Sequence, residues 1–100
     1  LKLHETSEKV NSKTVDLQLD YTFNELDDPN NFYERSDHFN FAKNNIPVIF
    51  YFSGTHEDYH GIGDTPDKIR YDLLTERTKL IFYTAWEIAN MDEKIEVDIN

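Results

Sequence analysis

The sequence predicts an α/β fold, and three stretches predict it. Val15-Asp16-Leu17-Gln18-Leu19-Asp20-Tyr21-Thr22-Phe23 alternates apolar and polar residues, the period of a half-exposed strand at a sheet edge. Val48-Ile49-Phe50-Tyr51-Phe52 is apolar without a break, as in a central strand covered on both faces. From Tyr71 to Met91, residues Leu74, Ile81, Phe82, Ala85, Trp86 and Ala89 recur at three- and four-residue steps, one apolar stripe of a helix about 20 residues long. The order is helix, strand, short helix, strand, long helix.

In chain order, His4 to Lys13 is polar apart from Val10 and reads as a short surface helix. After the first strand, Asn24 to Arg35 is turn-rich, and Asp27-Asp28-Pro29-Asn30-Asn31 sustains neither helix nor strand. Ser36 or Asp37 is an N-cap for a short helix through Phe39, Phe41 and Ala42, which Asn44-Asn45-Ile46-Pro47 stops. Pro47 opens the second strand. Thr65 is a natural N-cap and Pro66 a natural first helical residue, but the apolar period begins only at Tyr71, so a turn is expected between them. Trp86 lies on the stripe and reads as core. Lys94 to Ile99 alternates again, as a strand or an extension.

Two strands make a poor sheet. Either the chain associates with copies of itself as a homo-oligomer, or it is a fragment whose missing N-terminal part completes the sheet. The fragment is the expectation, and the chain begins with Leu1 and carries no basic-then-apolar leader. Its 100 residues make at most one small domain, with twenty acidic against ten basic residues and a net charge of −10. That balance opposes nucleic-acid binding, which is built from Lys and Arg at phosphates. No apolar run approaches a membrane span of about 20 residues. With no cysteine, disulfide scaffolds and Cys-based zinc sites are excluded.

The chemistry gathers directly after the apolar run, in His56-Glu57-Asp58-Tyr59-His60-Gly61-Ile62-Gly63-Asp64-Thr65. Gly54, Gly61 and Gly63 make this a loop, so His56 and His60 are not paired helical ligands. A His near carboxylates at a strand end suits a zinc-type metal, with Asp or Glu as further ligand or as acceptor fixing the imidazole. The same residues also read as a solvated loop. Ser36-Asp37-His38 adds a second polar group, but three adjacent residues do not point at one another as a catalytic triad.

Ser36-Asp37-His38-Phe39-Asn40-Phe41-Ala42, Asn45-Ile46-Pro47-Val48-Ile49-Phe50, His56-Glu57-Asp58-Tyr59-His60, Asp64-Thr65-Pro66-Asp67-Lys68-Ile69 and Leu80 to Asn90 resemble, in order, the C-terminal part of the co-catalytic zinc aminopeptidases of clan MH. That superfamily also holds glutamate carboxypeptidase, glutaminyl cyclase and the transferrin receptor ectodomain. The resemblance covers residues 35–91 well and the first 34 loosely. It implies that residues 1–100 are the C-terminal portion of one zinc-peptidase catalytic domain, a three-layer α/β/α sandwich with a mixed, mostly parallel sheet. By the same resemblance His60 is a zinc ligand and Tyr59 donates to the tetrahedral oxyanion. Asp64 and Thr65 support the ligand, and Ser36, Asp37 and His38 lie on the substrate side. No role falls to His56. Gly61-Ile62-Gly63 departs from the family, whose linker here is bulkier.

The resemblance implies two zincs in an intact enzyme, a peptide cleaved from its N-terminus, and an extracytoplasmic or secreted setting. It places a His-x-Asp pair, a Glu-Glu pair with the general base, and a further Asp ligand upstream of these blocks. No Glu-Glu pair occurs in the chain. Because a catalytic zinc takes about three protein ligands, this chain alone is expected to be inactive. The alternative is a non-catalytic peptidase-like module, or a stable remnant that self-associates. Glutaminyl cyclase chemistry fits less well, since that branch carries Trp where Tyr59 stands.

Overall fold

Three α-helices and two short 3₁₀ turns make up the regular structure of the computed structural model, which describes residues 2–21 and 32–97. Helix α1 spans Lys2–Lys13, α2 His38–Ala42 and α3 Tyr71–Ala89, with 3₁₀ turns at Phe32–Glu34 and Pro66–Lys68. The turn at Pro66 separates Thr65 from α3, as the late start of the apolar period predicts. Thr22, Phe23, the turn residues 24–31 and Ile99 fall outside the described residues.

No strand forms among the described residues, which overturns the α/β reading and with it the α/β/α sandwich. A strand exists only through its ladder, and the first apolar segment spends part of its bonding elsewhere. At Leu17 the side chain of Asn11 stands in for a neighbouring strand. Its Nδ2 donates to the Leu17 carbonyl at 2.6 Å, and its Oδ1 accepts the Leu17 N–H at 2.9 Å. Residues 15–21 therefore run back along α1, where Tyr21 meets the His4 ring at 4.6 Å. The second segment, Val48 to Phe52, is half-buried or exposed throughout, not covered on both faces.

The core lies where α1 meets α3, and it is small and polar. Val10 and Leu80 are its buried apolar residues, beside buried Thr6, Ser7, Asn11 and Thr84. Thus the polar face of α1 is the packed one. Such burial is tolerable because each hydroxyl has a partner. Thr6 Oγ1 donates to the Lys2 carbonyl at 2.8 Å, and Ser7 Oγ shares a 2.9 Å hydrogen bond with the Tyr51 hydroxyl. Tyr51 in turn donates to Thr84 Oγ1 at 3.4 Å, so one phenol joins both helices.

Trp86 is corrected as well, since it stands 62% exposed with Phe82 at 56% and Leu74 at 47%. The stripe that reads as core from its spacing is the outer face of α3. Leu80 and Thr84, one step round the helix, are the inner face. The chain exposes 8391 Å² with a radius of gyration of 15.1 Å. A compact unit of this size shows about 5,900 Å² and about 13 Å, so much apolar surface stays outside a core.

The short helix α2 ends as its sequence demands. Asn45 takes a left-handed φ of 63°, its N–H bonds the Ala42 carbonyl at 3.0 Å, and Ile46 N–H reaches back to Phe41 at 3.1 Å. This is a Schellman close with Asn in place of Gly. It turns the chain into Pro47 and so aims the aromatic segment at the loop that follows.

Candidate functional site

The loop from His56 to Thr65 is built of consecutive turns. Tyr59 N–H donates to the His56 carbonyl at 3.0 Å, Gly61 N–H to Asp58 at 2.8 Å, and Asp64 N–H to Gly61 at 3.3 Å. Within this winding His60 is forced to a φ of 58°, left-handed backbone that a side chain with a Cβ enters only at a cost. Strain of that kind gathers at functional positions. The imidazole of His60 is exposed and stacks on the Tyr59 ring at 4.1 Å and 16°.

Asp58 ties the loop down. Its carboxylate accepts from Lys68 Nζ at 3.0 Å, across the position of Gly63. A Cβ on Gly63 would sit 2.6 Å from Asp58 Oδ1, so glycine is what lets the ion pair pass this close. The departure from the family linker at Gly61-Ile62-Gly63 therefore has a local purpose. Between the glycines, Ile62 is fully exposed at 104%.

Rings link this loop to the Ser-Asp-His block. Tyr33 meets His38 at 6.2 Å, His38 stacks on Phe50 at 4.4 Å and 7°, and Phe50 on Phe52 at 5.4 Å. Phe52 then meets Tyr59 edge-on at 6.4 Å, and Tyr59 carries His60. Residues Phe50 and Phe52, two apart, supply the middle of the ladder. Sequence reasoning missed them as site residues, although aromatic rings at i and i+2 share a face of an extended segment. His38 Nδ1 is buried in this stack with no hydrogen-bond partner.

The remaining predicted residues contribute backbone. Ser36 and Asp37 offer carbonyls to the N–H groups of Phe39 and Asn40, and Asp37 starts α2 without a side-chain cap. The Thr65 carbonyl accepts from Lys68 N–H in the 3₁₀ turn. Rings join His38 to His60, whereas Ser36, Asp37, Asp64 and Thr65 serve the turns on either side.

Burial, with a hydrogen bond to Glu8, pushes the Tyr21 hydroxyl up to about 12. The Arg70 guanidinium, bonded through two nitrogens at 3.2 and 3.0 Å, holds the Asp72 carboxyl below its ordinary value.

A metal centre needs about three converging protein ligands. Among the described residues no three His, Asp or Glu side chains converge in that way. His56-Glu57-Asp58 has the His-x-Asp spacing of the family's ligand pair. However, Asp58 is engaged by Lys68, and His56 Nδ1 accepts the Asp58 N–H at 3.2 Å. His60 offers one donor, so the donor set described here does not fit a zinc by itself.

The family model for Peptidase family M28 matches residues 2–85, and the chain belongs to that family. This match takes in residues 2–34, which resemble the family only loosely by motif, and closes before the end of α3. Neither the curated proteins nor the solved structures give a match to the chain. Family membership makes the protein peptidase-like, a hydrolase by kinship, in a family whose peptidases are generally zinc-dependent.

Proposed function

We propose that this chain is the C-terminal part of a zinc-dependent aminopeptidase, contributing His60 as one metal ligand and Tyr59 as a donor to the reacting carbonyl oxygen. The single observation that carries the reading is His60 itself, exposed, held in left-handed backbone and stacked on Tyr59. An exposed imidazole with a fixed ring plane is prepared to donate a lone pair, and stacking lowers the entropy lost when it does. The other ligands come from outside the described residues, and the chain alone is inactive. Zinc held by His60 together with those other ligands would supply Lewis-acid polarisation of a carbonyl. Tyr59 is half-buried, with its ring between those of Phe52 and His60.

A second reading has its own observation. Because no three ligand-type side chains converge among the described residues, a peptidase-like module that binds peptides or partners without cleaving them also fits. Zinc content and aminopeptidase activity, measured on the protein that carries this chain, decide between them. Under the enzyme reading His60→Ala removes about one metal and most activity, while Tyr59→Phe keeps the metal and lowers turnover by roughly 10²-fold. Absence of zinc from the unaltered protein, or an indifferent His60→Ala, hands the function to the binding module.

A further inference from the structure

We propose that Lys68 is a positioning residue for Tyr59 and His60: through Asp58 it holds the turn that carries both side chains in its left-handed form. The inference rests on the function proposed above for those two residues. The Asp58 carbonyl accepts the Gly61 N–H at 2.8 Å, so Tyr59 and His60 are the two corners of one turn. Tyr59, the first corner, has a negative φ, whereas His60, the second, stands at 58°. A left-handed second corner is where β-turns place Gly or Asn, because a Cβ there is crowded. For a residue such as histidine that choice is disfavoured by roughly tenfold. A constraint from outside the turn has to select it.

Asp58 is the point at which the constraint acts. Its N–H donates to His56 Nδ1 at 3.2 Å, its carbonyl closes the turn, and its carboxylate accepts from Lys68 Nζ at 3.0 Å. Among the described residues, this last contact is the one side-chain hydrogen bond that joins residues 56–65 to the chain beyond them. Lys68 is itself anchored. Its N–H donates to the Thr65 carbonyl at 3.1 Å, and the Pro66 carbonyl accepts the Ile69 N–H at 3.2 Å and the Tyr71 hydroxyl at 3.2 Å. Tyr71 is the first residue of the 19-residue helix α3, so the pair ties a strained turn to the start of the longest rigid element. Gly63 leaves room for it. A Cβ there would lie 2.6 Å from Asp58 Oδ1 and 3.5 Å from Lys68 Nζ, touching both partners.

The test uses the protein that carries this chain and reads backbone and function separately. Lys68→Met removes the charge and keeps a long side chain at a half-exposed position, so circular dichroism should not change. The paired side chains are 25% and 50% exposed, and losing the pair should shift the balance at His60 by roughly two- to fivefold. In NMR spectra that shift is read as a weaker amide-to-Hα cross-peak within His60, the mark of left-handed backbone, and as weaker contacts between its ring and that of Tyr59. Turnover should fall by a similar factor with KM unaltered, and Lys68→Arg should restore both. A His60 that keeps its cross-peak in Lys68→Met and in Asp58→Asn overturns the proposal. So does unchanged turnover in Lys68→Met where His60→Ala abolishes it, a result that leaves the proposed function standing. Turnover indifferent to His60→Ala is the separate failure of that function, and it takes the positioning role with it.

Discussion

Asn11→Ala tests the substitution of a side chain for a strand neighbour. Asn11 is 6% exposed, and its amide makes both hydrogen bonds that the Leu17 peptide would otherwise take from a ladder, at 2.6 and 2.9 Å. Each such bond contributes about 1 kcal/mol net, and a peptide group left unpaired in a half-buried place costs about as much again. Against this, Ala is a better helix former than Asn by about 0.6 kcal/mol. The net expectation is a loss of roughly 2 kcal/mol. For a domain of this length that is a fall in melting temperature of roughly 8–16 °C. Urea unfolding followed by circular dichroism reads it directly, with the slope unchanged if only stability is altered. Asn11→Asp keeps the acceptor, loses the donor and buries a charge, so it should be no milder than Ala. If Asn11→Ala lies within about 0.5 kcal/mol of the parent, the paired amide does not hold residues 15–21 against α1, and the account given for the missing strand fails.

Tyr51→Phe removes the phenol shared by Ser7 and Thr84; both hydroxyls can turn to carbonyls of their own helices, as Thr6 does, so a loss of about 1 kcal/mol by denaturant unfolding is expected. Tyr21 should ionise above the ordinary tyrosine value in an ultraviolet titration, and Tyr21→Phe should delete that step. Its folded value of about 12 lies above the ordinary 10.0, so the folded state holds the proton longer. The associated stability is complete below pH 10.0 and is lost as pH rises toward about 12, a loss that Tyr21→Phe should flatten. Gly63→Ala should force the Asp58 carboxylate aside and break its pair with Lys68. These groups are 25% and 50% exposed, so the stability change should stay under about 1 kcal/mol, with amide NMR shifts confined to residues 57–65.

The helices were legible because their signals are local. Tyr71 marks the true start of α3, Asn45 can take the left-handed close of α2, and Val10 anchors α1. Which face packs was not legible. Apolar spacing puts Trp86 inside, yet the buried side of α3 is Leu80 with Thr84, and the buried side of α1 is largely hydroxyl and amide. Period-two alternation in Val15 to Tyr21 states a preference that only a ladder can realise, and the amide of Asn11 intercepts it at Leu17. At the site, residue types and family resemblance pointed to Tyr59 and His60. The ring ladder through Phe50 and Phe52 and the clasp of Asp58 over Gly63 needed coordinates, because both join residues through space.

The joint between α1 and α3 ties together regions about seventy residues apart in the chain, Val10 and Leu80. Closing a loop of that length costs roughly 4 kcal/mol of chain entropy, to be recovered by few side chains. Folding should then be ordered by distance along the chain, with the turns around His60 and the coil of α3 forming early and the docking of α1 last. A protease that nicks the intervening segment would turn this internal contact into a bimolecular one and release α1 on dilution. The loop that carries His60 would persist in the larger piece, since its turns and its clasp are made within residues 56–68.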